Sequence, residues 1–354
     1  MNGLIKQGYK TVSQYGIGVF CLRVYNYIMF KMMRFFSSHD TENDKKFLEI
    51  KGKYKGKRIF ILGNGPSLNR MPLYLLKNEY TMCFNRFPLM YERVNWMPDF
   101  YAVTDDLLLR DMGKEINKTT KEVDYAFFPD FHPSNLNVKR QISNRENVLW
   151  LHVDKPDFSD HLPACGINKT VVNAGIQIAA WMGFSEIYLL GVDMTFGEQK
   201  IKKANSRDWQ SAGDDPNHFD PRYFGKGRKY HNPMVKEMLE KFDKCKEFFD
   251  ARGVHIYNAG YGGKLESFPR VDFDSLFDLS DLKKEQMLLD AIHAINPAIS
   301  LDDFETSVNE NSSFVCGEDG AGLIKSYIMT HIPFGPYKGF YYFVKREENI
   351  KVGN

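Results

Sequence analysis

The chain is poor in cysteine and close to electrically balanced, and each of these features argues against a class of protein. Its five cysteines are scattered without any Cys-x-x-Cys pair, which argues against a structural zinc site and favours reduced thiols in the cytoplasm. The formal net charge is only +2, so nothing in the charge balance indicates a nucleic-acid partner.

The N-terminal segment lacks both acidic residues and a long uninterrupted apolar run. No Asp or Glu precedes Asp40, and basic residues divide the aromatic and aliphatic positions into pieces shorter than the roughly 18–20 residues that span a bilayer. Such a segment can lie in the interface of an anionic membrane, or it can pack on the protein's own core or on a second subunit. We expect the first, which makes the protein cytoplasmic and peripheral to the inner membrane; the second leaves a homo-oligomer open.

Two familiar nucleotide motifs are also missing from the glycine turn Gly63-Asn64-Gly65-Pro66-Ser67, which follows a short apolar run. The third glycine of a dinucleotide fingerprint would fall on Leu68, and no Gly-Lys-Ser/Thr follows as in a Walker A loop. Strand, glycine turn and helix nevertheless form a phosphate or nucleotide site in α/β folds, with backbone N–H groups facing the ligand. The turn therefore predicts a nucleotide site of another kind.

Strands and helices alternate along most of the chain, which predicts an α/β fold with a mostly parallel, Rossmann-like sheet and helices on both faces. We expect a basic segment and linker over residues 1–50, one catalytic domain over 51–280, and an extension over 281–354 that serves as a lid, oligomer contact or membrane contact. The charge-dense residues 39–57 are typical of a linker. The expected strands are Ile59–Leu62, Tyr80–Phe84, Phe100–Val103, Tyr125–Phe128, Glu186–Val192 and Val254–Tyr257, and the expected helices are Lys169–Met182, Asn232–Ala251 and Leu282–Ile295.

Polar residues recur just after the expected strands: Asn64, Asn85, Asp105, Asp193 and Asn258. In open α/β sheets the ligand crevice lies outside the carboxyl ends of the strands, so these positions predict a shared site. The alternative is that each residue only forms a turn, since Asn and Asp are favoured there in any case.

The segment from Asp214 to Pro233 combines histidines, aromatic rings and cations, which is typical of a binding loop. His231 precedes Asn232-Pro233, a sequence that predicts a helix N-terminus, and the positive end of that helix would keep the imidazole neutral, as a general base requires. The alternatives are a purely structural His231, or His218 as the base. The adjacent pairs Asp105-Asp106 and Asp214-Asp215 are weak candidates for a metal site, and Asp105 or Asp106 suits a sugar or ribose hydroxyl equally well.

Taken in order, the glycine turn, Cys83-Phe-Asn-Arg-Phe87 and Gly183-Phe-Ser-Glu-Ile-Tyr-Leu-Leu-Gly-Val-Asp193 resemble the bacterial sialyltransferases of glycosyltransferase family 42. They are also similar to the wider group of 6-hydroxymethylpterin pyrophosphokinase-like proteins. The resemblance covers roughly residues 57–260. It implies a CMP-sugar donor at the strand ends, inversion at the anomeric carbon, no metal and no further cofactor, and a histidine that deprotonates the acceptor.

Carried over to this sequence, the resemblance implies that His231 is the base, with His218 as the alternative. The implied nucleotide and donor positions are Gly63, Asn64, Gly65, Ser67, Asn85, Arg86, Asp105, Asp106, Thr170, Asn173, Gly175 and Asp193. The phosphate would meet Tyr223, Tyr230 and Arg228. Two departures bear on the donor: the Thr-Ser-Gly run of the family is Thr170-Val-Val-Asn-Ala-Gly175 here, and no tyrosine follows soon after Asp193.

These observations predict an enzyme that adds a CMP-activated acidic sugar to a bacterial surface glycan, such as lipopolysaccharide, with a glycan or glycolipid acceptor at the inner membrane. Two alternatives stay open: an enzyme that uses ATP and Mg²⁺ on a small hydroxyl substrate, and a nucleotide-binding module without catalysis.

Overall fold

The computed structural model describes residues 2–37, 40–277, 327–331 and 341–345, apart from 93, 95, 133–135, 144, 154–156 and 205–207 within those ranges. A seven-stranded sheet lies at the centre, and every neighbouring pair of its strands is parallel. Its strands are β1 (Arg58–Leu62), β2 (Tyr80–Phe84), β3 (Phe100–Ala102), β4 (Tyr125–Pro129), β7 (Val148–Leu151), β8 (Glu186–Leu190) and β12 (His255–Asn258). The expected Rossmann-like α/β fold is confirmed.

The strand order, β12-β8-β1-β2-β3-β4-β7, places a topological switch point between β1 and β8. From β1 the chain runs outward to one edge of the sheet, and it then returns to add β8 and β12 on the other side. Crevices that bind ligands in open α/β sheets form where the strand order reverses in this way. The glycine turn follows β1, so it lies at that point.

Helices and 3-10 turns cover both faces of the sheet. The helices are α1 (Asn2–Ser37), α2 (Thr41–Ile50), α3 (Asp106–Asp111), α4 (Gly113–Thr119), α5 (Val171–Met182) and α6 (Val235–Asp250). One apolar cluster packs α3, α4 and the 3-10 turns on the sheet, and the second packs α2, α5 and α6 on the opposite face. Helix α5 ends at Gly183 with φ of 99°, as the sequence predicts.

The expected linker at residues 39–57 is wrong, because α2 and the turn after it belong to the core. Phe47, Ile50 and Tyr54 are buried. The Asn43 side chain donates to the carbonyl of Trp150 at 3.0 Å and accepts from its N–H at 2.8 Å. The segment resembles a linker in the sequence because only one side of the helix is buried and its other side is charged.

The segment between β8 and α6 is a structured insert and not only a loop. Its strands β9 (Ile201–Ala204), β10 (Asp208–Ser211) and β11 (Lys229–His231) form an antiparallel sheet. Two small hairpins complete the described strands: β5 (Phe131–His132) with β6 (Leu136–Asn137), and β13 (Tyr327–His331) with β14 (Tyr341–Lys345). The expected helix Leu282–Ile295 lies outside the described residues, as does most of the extension 281–354.

Helix α1 is kinked at Gly16 and packs near its end against β5. Many of its large apolar side chains are exposed: Val12, Ile17, Leu22, Val24, Tyr25, Tyr27, Ile28, Met32 and Phe35. Among the residues that the structure describes, no helix combines the length and the apolar character that crossing a membrane requires.

Candidate functional site

The glycine turn packs directly against the chain that leaves β8. Gly63 N–H donates to the carbonyl of Leu190 at 2.7 Å, and Gly65 N–H donates to the carbonyl of Gly191 at 2.8 Å. A Cβ on Gly63 would lie 2.3 Å from the Gly191 oxygen, and one on Gly65 would lie 2.4 Å from Asp193 Oδ2. The expectation that these N–H groups face a ligand is therefore wrong for both glycines, whose role is to let the two strand ends approach.

Ser67 and Asp193, both expected at the nucleotide, bind each other. The Ser67 N–H donates to Asp193 Oδ2 at 2.9 Å, and the Ser67 hydroxyl donates to Oδ1. Burial raises the pKa of the Asp193 carboxyl, and the bonds from Ser67 oppose that rise. The pair fixes the turn at the switch point.

Two asparagines at neighbouring strand ends keep unsatisfied acceptors. Asn64 follows β1 and Asn85 follows β2, where it holds φ of 55°. Their Oδ1 atoms are buried and have no hydrogen-bond partner among the described residues. Because a buried polar atom without a partner is costly, these two oxygens are strong candidates for ligand contacts.

Two arginines next to Asn85 share one carboxylate. Arg86 donates to Oδ2 of Asp111, and Arg228 donates to the same oxygen at 2.6 Å. Arg86 is 4% exposed. The Tyr223 hydroxyl lies in hydrogen-bonding reach of the Asn85 side chain and the Arg86 backbone, and burial raises its pKa, so the phenol stays protonated. These groups suit an anionic part of a ligand.

Asp105, Asp106 and His231 meet at the end of β3. His231 Nε2 lies 3.2 Å from Asp106 Oδ1 and 3.8 Å from Asp105 Oδ2. Asp105 also caps α3 by accepting from the N–H groups of Leu107 and Leu108, and burial raises the pKa of its carboxyl. His132 Nδ1 lies 3.8 Å from Asp106 Oδ1.

The expected helix N-terminus at His231 is wrong. His231 ends strand β11, opposite Asp208, and α6 begins only at Val235. The groups that orient the imidazole are the carboxylates of Asp105 and Asp106. One ligand atom from each of the three residues lies within 4.8 Å of the others, so the cluster could also hold a divalent cation.

His218 is held by a second carboxylate. Its Nδ1 lies 2.7 Å from Oδ2 of the buried Asp215, and its ring stacks on Tyr223 with 3.9 Å between centroids. Asp214 is exposed and Asp215 buried, so this Asp pair does not form a joint site. His218 and His231 line the same cavity of about 510 Å³ within the insert.

The insert joins the strand ends into one site. Phe219 N–H donates to the carbonyl of Asn64 at 3.0 Å, Tyr223 reaches Asn85, and His231 reaches Asp106. Asn258, the fifth strand-end residue, instead bonds its own loop through Leu265 and Gly260, as a turn former does.

The expected cytidine segment lies at the start of α5. Thr170 caps the helix, and Asn173 is buried with its Nδ2 donating to the carbonyl of Asn168 at 3.0 Å. A Cβ on Gly175 would lie 2.4 Å from the Phe84 ring, which gives this glycine a packing role against β2. The Oδ1 atoms of Asn168 and Asn173 have no hydrogen-bond partner among the described residues.

Sequence reasoning missed His132 and the lining residues Trp209 and Phe224. His132 lies in a two-residue strand that carries no periodic signal. Trp209 belongs to a short strand, and its partner on β11, Tyr230, is 21 positions later, so only the folded insert brings it to the cavity.

Comparison with known families gives one match, over part of the chain. The family described as "6-hydroxymethylpterin diphosphokinase MptE-like" matches residues 34–199, which confirms the resemblance to that group. No curated protein matches the sequence significantly.

Solved structures similar to this chain are bacterial glycosyltransferases. One is the MAf glycosyltransferase of Magnetospirillum magneticum AMB-1, with 16% identity and a TM-score of 0.39, covering 73% of this chain. This chain spans only 42% of that protein. Another is the sialyltransferase CstII of Campylobacter jejuni in complex with a substrate analogue, cytidine-5'-monophosphate, with 12% identity and a TM-score of 0.36, covering 64% of this chain and 89% of that one.

Proposed function

We propose that this chain is an inverting, metal-independent glycosyltransferase that moves an acidic, sialic-acid-like sugar from CMP to a hydroxyl acceptor, with His231 as general base. The observation that carries the proposal is the pairing of His231 with Asp106 and Asp105 after β3, at the same edge of the sheet as the switch point between β1 and β8. A histidine held by carboxylates, next to a nucleotide-type turn, is suited to proton abstraction.

In this mechanism the Nε2–H of His231 donates a hydrogen bond to Asp106 and stays on the ring, and Nδ1 takes up the acceptor proton. The acceptor oxygen attacks the anomeric carbon, the bond from that carbon to the phosphate oxygen breaks, and CMP leaves with the bonding electrons. The acceptor proton passes to His231, and the two carboxylates stabilise the imidazolium that results.

The donor would lie along the strand ends. The unsatisfied oxygens of Asn64 and Asn85 can accept from nucleotide or sugar hydroxyl and amino groups. Arg86, Arg228 and the protonated Tyr223 can donate to the phosphate of CMP, whose charge grows as the bond to the sugar breaks.

A second candidate function follows from the same cluster. Asp105, Asp106 and His231 are close enough to share a divalent cation, as a diphosphoryl transfer from ATP would require. The description of the matching family favours this alternative. The two candidates differ in nucleotide and in metal dependence.

Thermal unfolding with CMP, CDP, UDP or ATP, each with Mg²⁺ or with EDTA, separates them. A nucleotide at about 100 times its Kd stabilises a protein by about 2.7 kcal/mol. We expect CMP or CDP to raise the melting temperature in EDTA as much as in Mg²⁺. Stabilisation by ATP only with Mg²⁺ would replace the first candidate by the second, and no shift with any nucleotide would indicate a module without nucleotide binding.

We also propose that α1 binds the anionic surface of the inner membrane, where a glycolipid acceptor would be found. Residues 1–39 carry five Lys or Arg and no acidic residue. Helix α1 exposes Ile17, Ile28 and Phe35 and packs against β5, the strand that carries His132 beside Asp106. A lipid surface bound by α1 would therefore lie close to the site.

Sedimentation with lipid vesicles tests this contact. The protein should pellet with phosphatidylcholine–phosphatidylglycerol vesicles and stay in solution with phosphatidylcholine alone. Ile28→Asp should weaken the binding, whereas Leu48→Asp, on the exposed side of α2, should not. Equal binding to both kinds of vesicle, or to neither, would refute an anionic membrane partner.

A further inference from the structure

The cavity within the insert is lined by several aromatic rings. Phe224 stacks on Tyr230 with 5.0 Å between centroids, and Trp209 meets Tyr230 edge-on at 5.8 Å. The His218 ring meets the Phe224 ring edge-on, with 5.2 Å between their centroids. Trp209 and Tyr230 are direct cross-strand partners of β10 and β11, so the small sheet fixes their side chains on one face.

Two polar atoms of these rings have no hydrogen-bond partner among the described residues. Tyr230 is 6% exposed, and its buried hydroxyl has no hydrogen-bond partner among the described residues. His218 is bonded through Nδ1 to Asp215, and no described residue pairs with its Nε2. A buried phenol is normally hydrogen-bonded, so the unpaired hydroxyl of Tyr230 points to a ligand.

No Lys or Arg of the part of the chain that the structure describes lines the cavity. Its lining includes the amides of Gln199 and Asn217 and one carboxylate, Glu198. A phosphate or an acidic sugar would lack a counter-charge here, while the cations Arg86 and Arg228 lie with Asp111, which is not part of this lining. The ligand that fits is neutral.

Aromatic faces bordered by amide, phenol and imidazole groups match the two sides of a neutral sugar ring. The C–H faces of a pyranose pack on the aromatic rings, and its hydroxyls bond the polar groups. His231 lines the same cavity, so a hydroxyl of that sugar would reach the proposed base.

We propose that this cavity binds the neutral acceptor sugar of the transferase, with Trp209 and Phe224 as the stacking surface and Tyr230 and His218 as hydrogen-bonding groups. The role of the bound sugar as acceptor rests on the proposed function. The binding of a neutral sugar can be tested without any transfer reaction.

Saturation-transfer NMR with lactose, methyl α-glucoside and N-acetylglucosamine measures that binding on the full chain. At least one of these sugars should receive saturation from the wild type without nucleotide. Trp209→Ala and Tyr230→Phe should reduce the signal, and Tyr188→Phe, which removes a hydroxyl outside the cavity, should leave it unchanged. No saturation of any sugar, or equal saturation in all variants, overturns the inference. Circular dichroism verifies that each variant is folded.

Transfer kinetics then separate the two proposals. With CMP-N-acetylneuraminic acid as donor, Tyr230→Phe should raise KM for the acceptor about tenfold, the effect of one lost hydrogen bond, and change KM for the donor less than about twofold. A rise in the donor KM alone, or no change in either constant, overturns the assignment of the cavity. Sugar binding without any transfer by the wild type would instead count against the proposed function.

Discussion

Gly65 shows how closely single residues are constrained at the switch point. Its Cα lies against the carboxylate of Asp193, which also receives both hydrogen bonds of Ser67. An added methyl group would have to displace either the carboxylate or the strand end. A side chain at this position would therefore both destabilise the fold and change the shape of the glycine turn.

Gly65→Ala should lower the free energy of unfolding by about 1–3 kcal/mol, as overpacking does, and weaken nucleotide binding with it. Gly113→Ala is the matched control, because a Cβ there meets nothing within 4 Å and the residue lies at the start of α4. Urea unfolding of both variants makes the comparison. Equal stability of the two variants would contradict the close approach of β1 and β8.

Asp160 provides a prediction about pH at the residue scale. Hydrogen bonds from Arg252 and His161 lower the pKa of its carboxyl to about 2. Because the folded-state pKa lies below the ordinary aspartate value of 3.8, the contribution to stability is present above that value and fades as the pH falls towards about 2. In Arg252→Gln the pKa should move back towards 3.8, as NMR titration of the carboxyl carbon would report; an unchanged pKa would exclude Arg252 as the cause.

At the scale of elements, the sequence predicted a linker where the structure has α2 and a loop where the structure has the strands of the insert. Seven of the ten residues of α2 are charged or exposed, and its burial depends on Asn43 bonding to a strand that lies about a hundred residues later. The strands of the insert are three or four residues long and pair only with each other, too short for a periodic signal.

Phe47→Ala should lower the free energy of unfolding by about 3–5 kcal/mol, the usual cost of emptying a buried aromatic site. Leu48→Ala, one position along the same helix and 63% exposed, should change it by no more than about 0.5 kcal/mol. Chemical unfolding compares the two. Similar small effects would mean that α2 is a linker after all.

By contrast, six of the seven sheet strands and α5 could be predicted, because their apolar runs are bounded by turn residues and because Gly183 marks the end of α5. The seventh strand, β7 (Val148–Leu151), was not expected. The candidate site was predictable in its members and not in its geometry. Of the expected site residues, Asp105, Asp106 and His231 lie in contact, but whether His231 faces a helix end or two carboxylates depends on where the insert places β11.

At the scale of the whole molecule, a parallel sheet brings the ends of β1, β2, β3 and β8 to one edge, and the insert closes over them. Under the proposed function this arrangement would separate two chemistries: Arg86 and Arg228 would face an anionic donor, and the aromatic cavity, which no described Lys or Arg lines, would hold a neutral acceptor, with His231 between the carboxylates and that cavity. Helix α1 would add the membrane surface from which a glycolipid acceptor is taken.

The most direct test of this account is the transfer activity of His231→Ala with CMP-N-acetylneuraminic acid in EDTA, together with its melting temperature in CMP. The account predicts a loss of at least about a hundredfold in transfer, as for a missing general base, with the stabilisation by CMP retained. His255→Ala, at an exposed position of β12, is the control and should behave as the wild type. Transfer at the wild-type rate by His231→Ala would contradict the central claim.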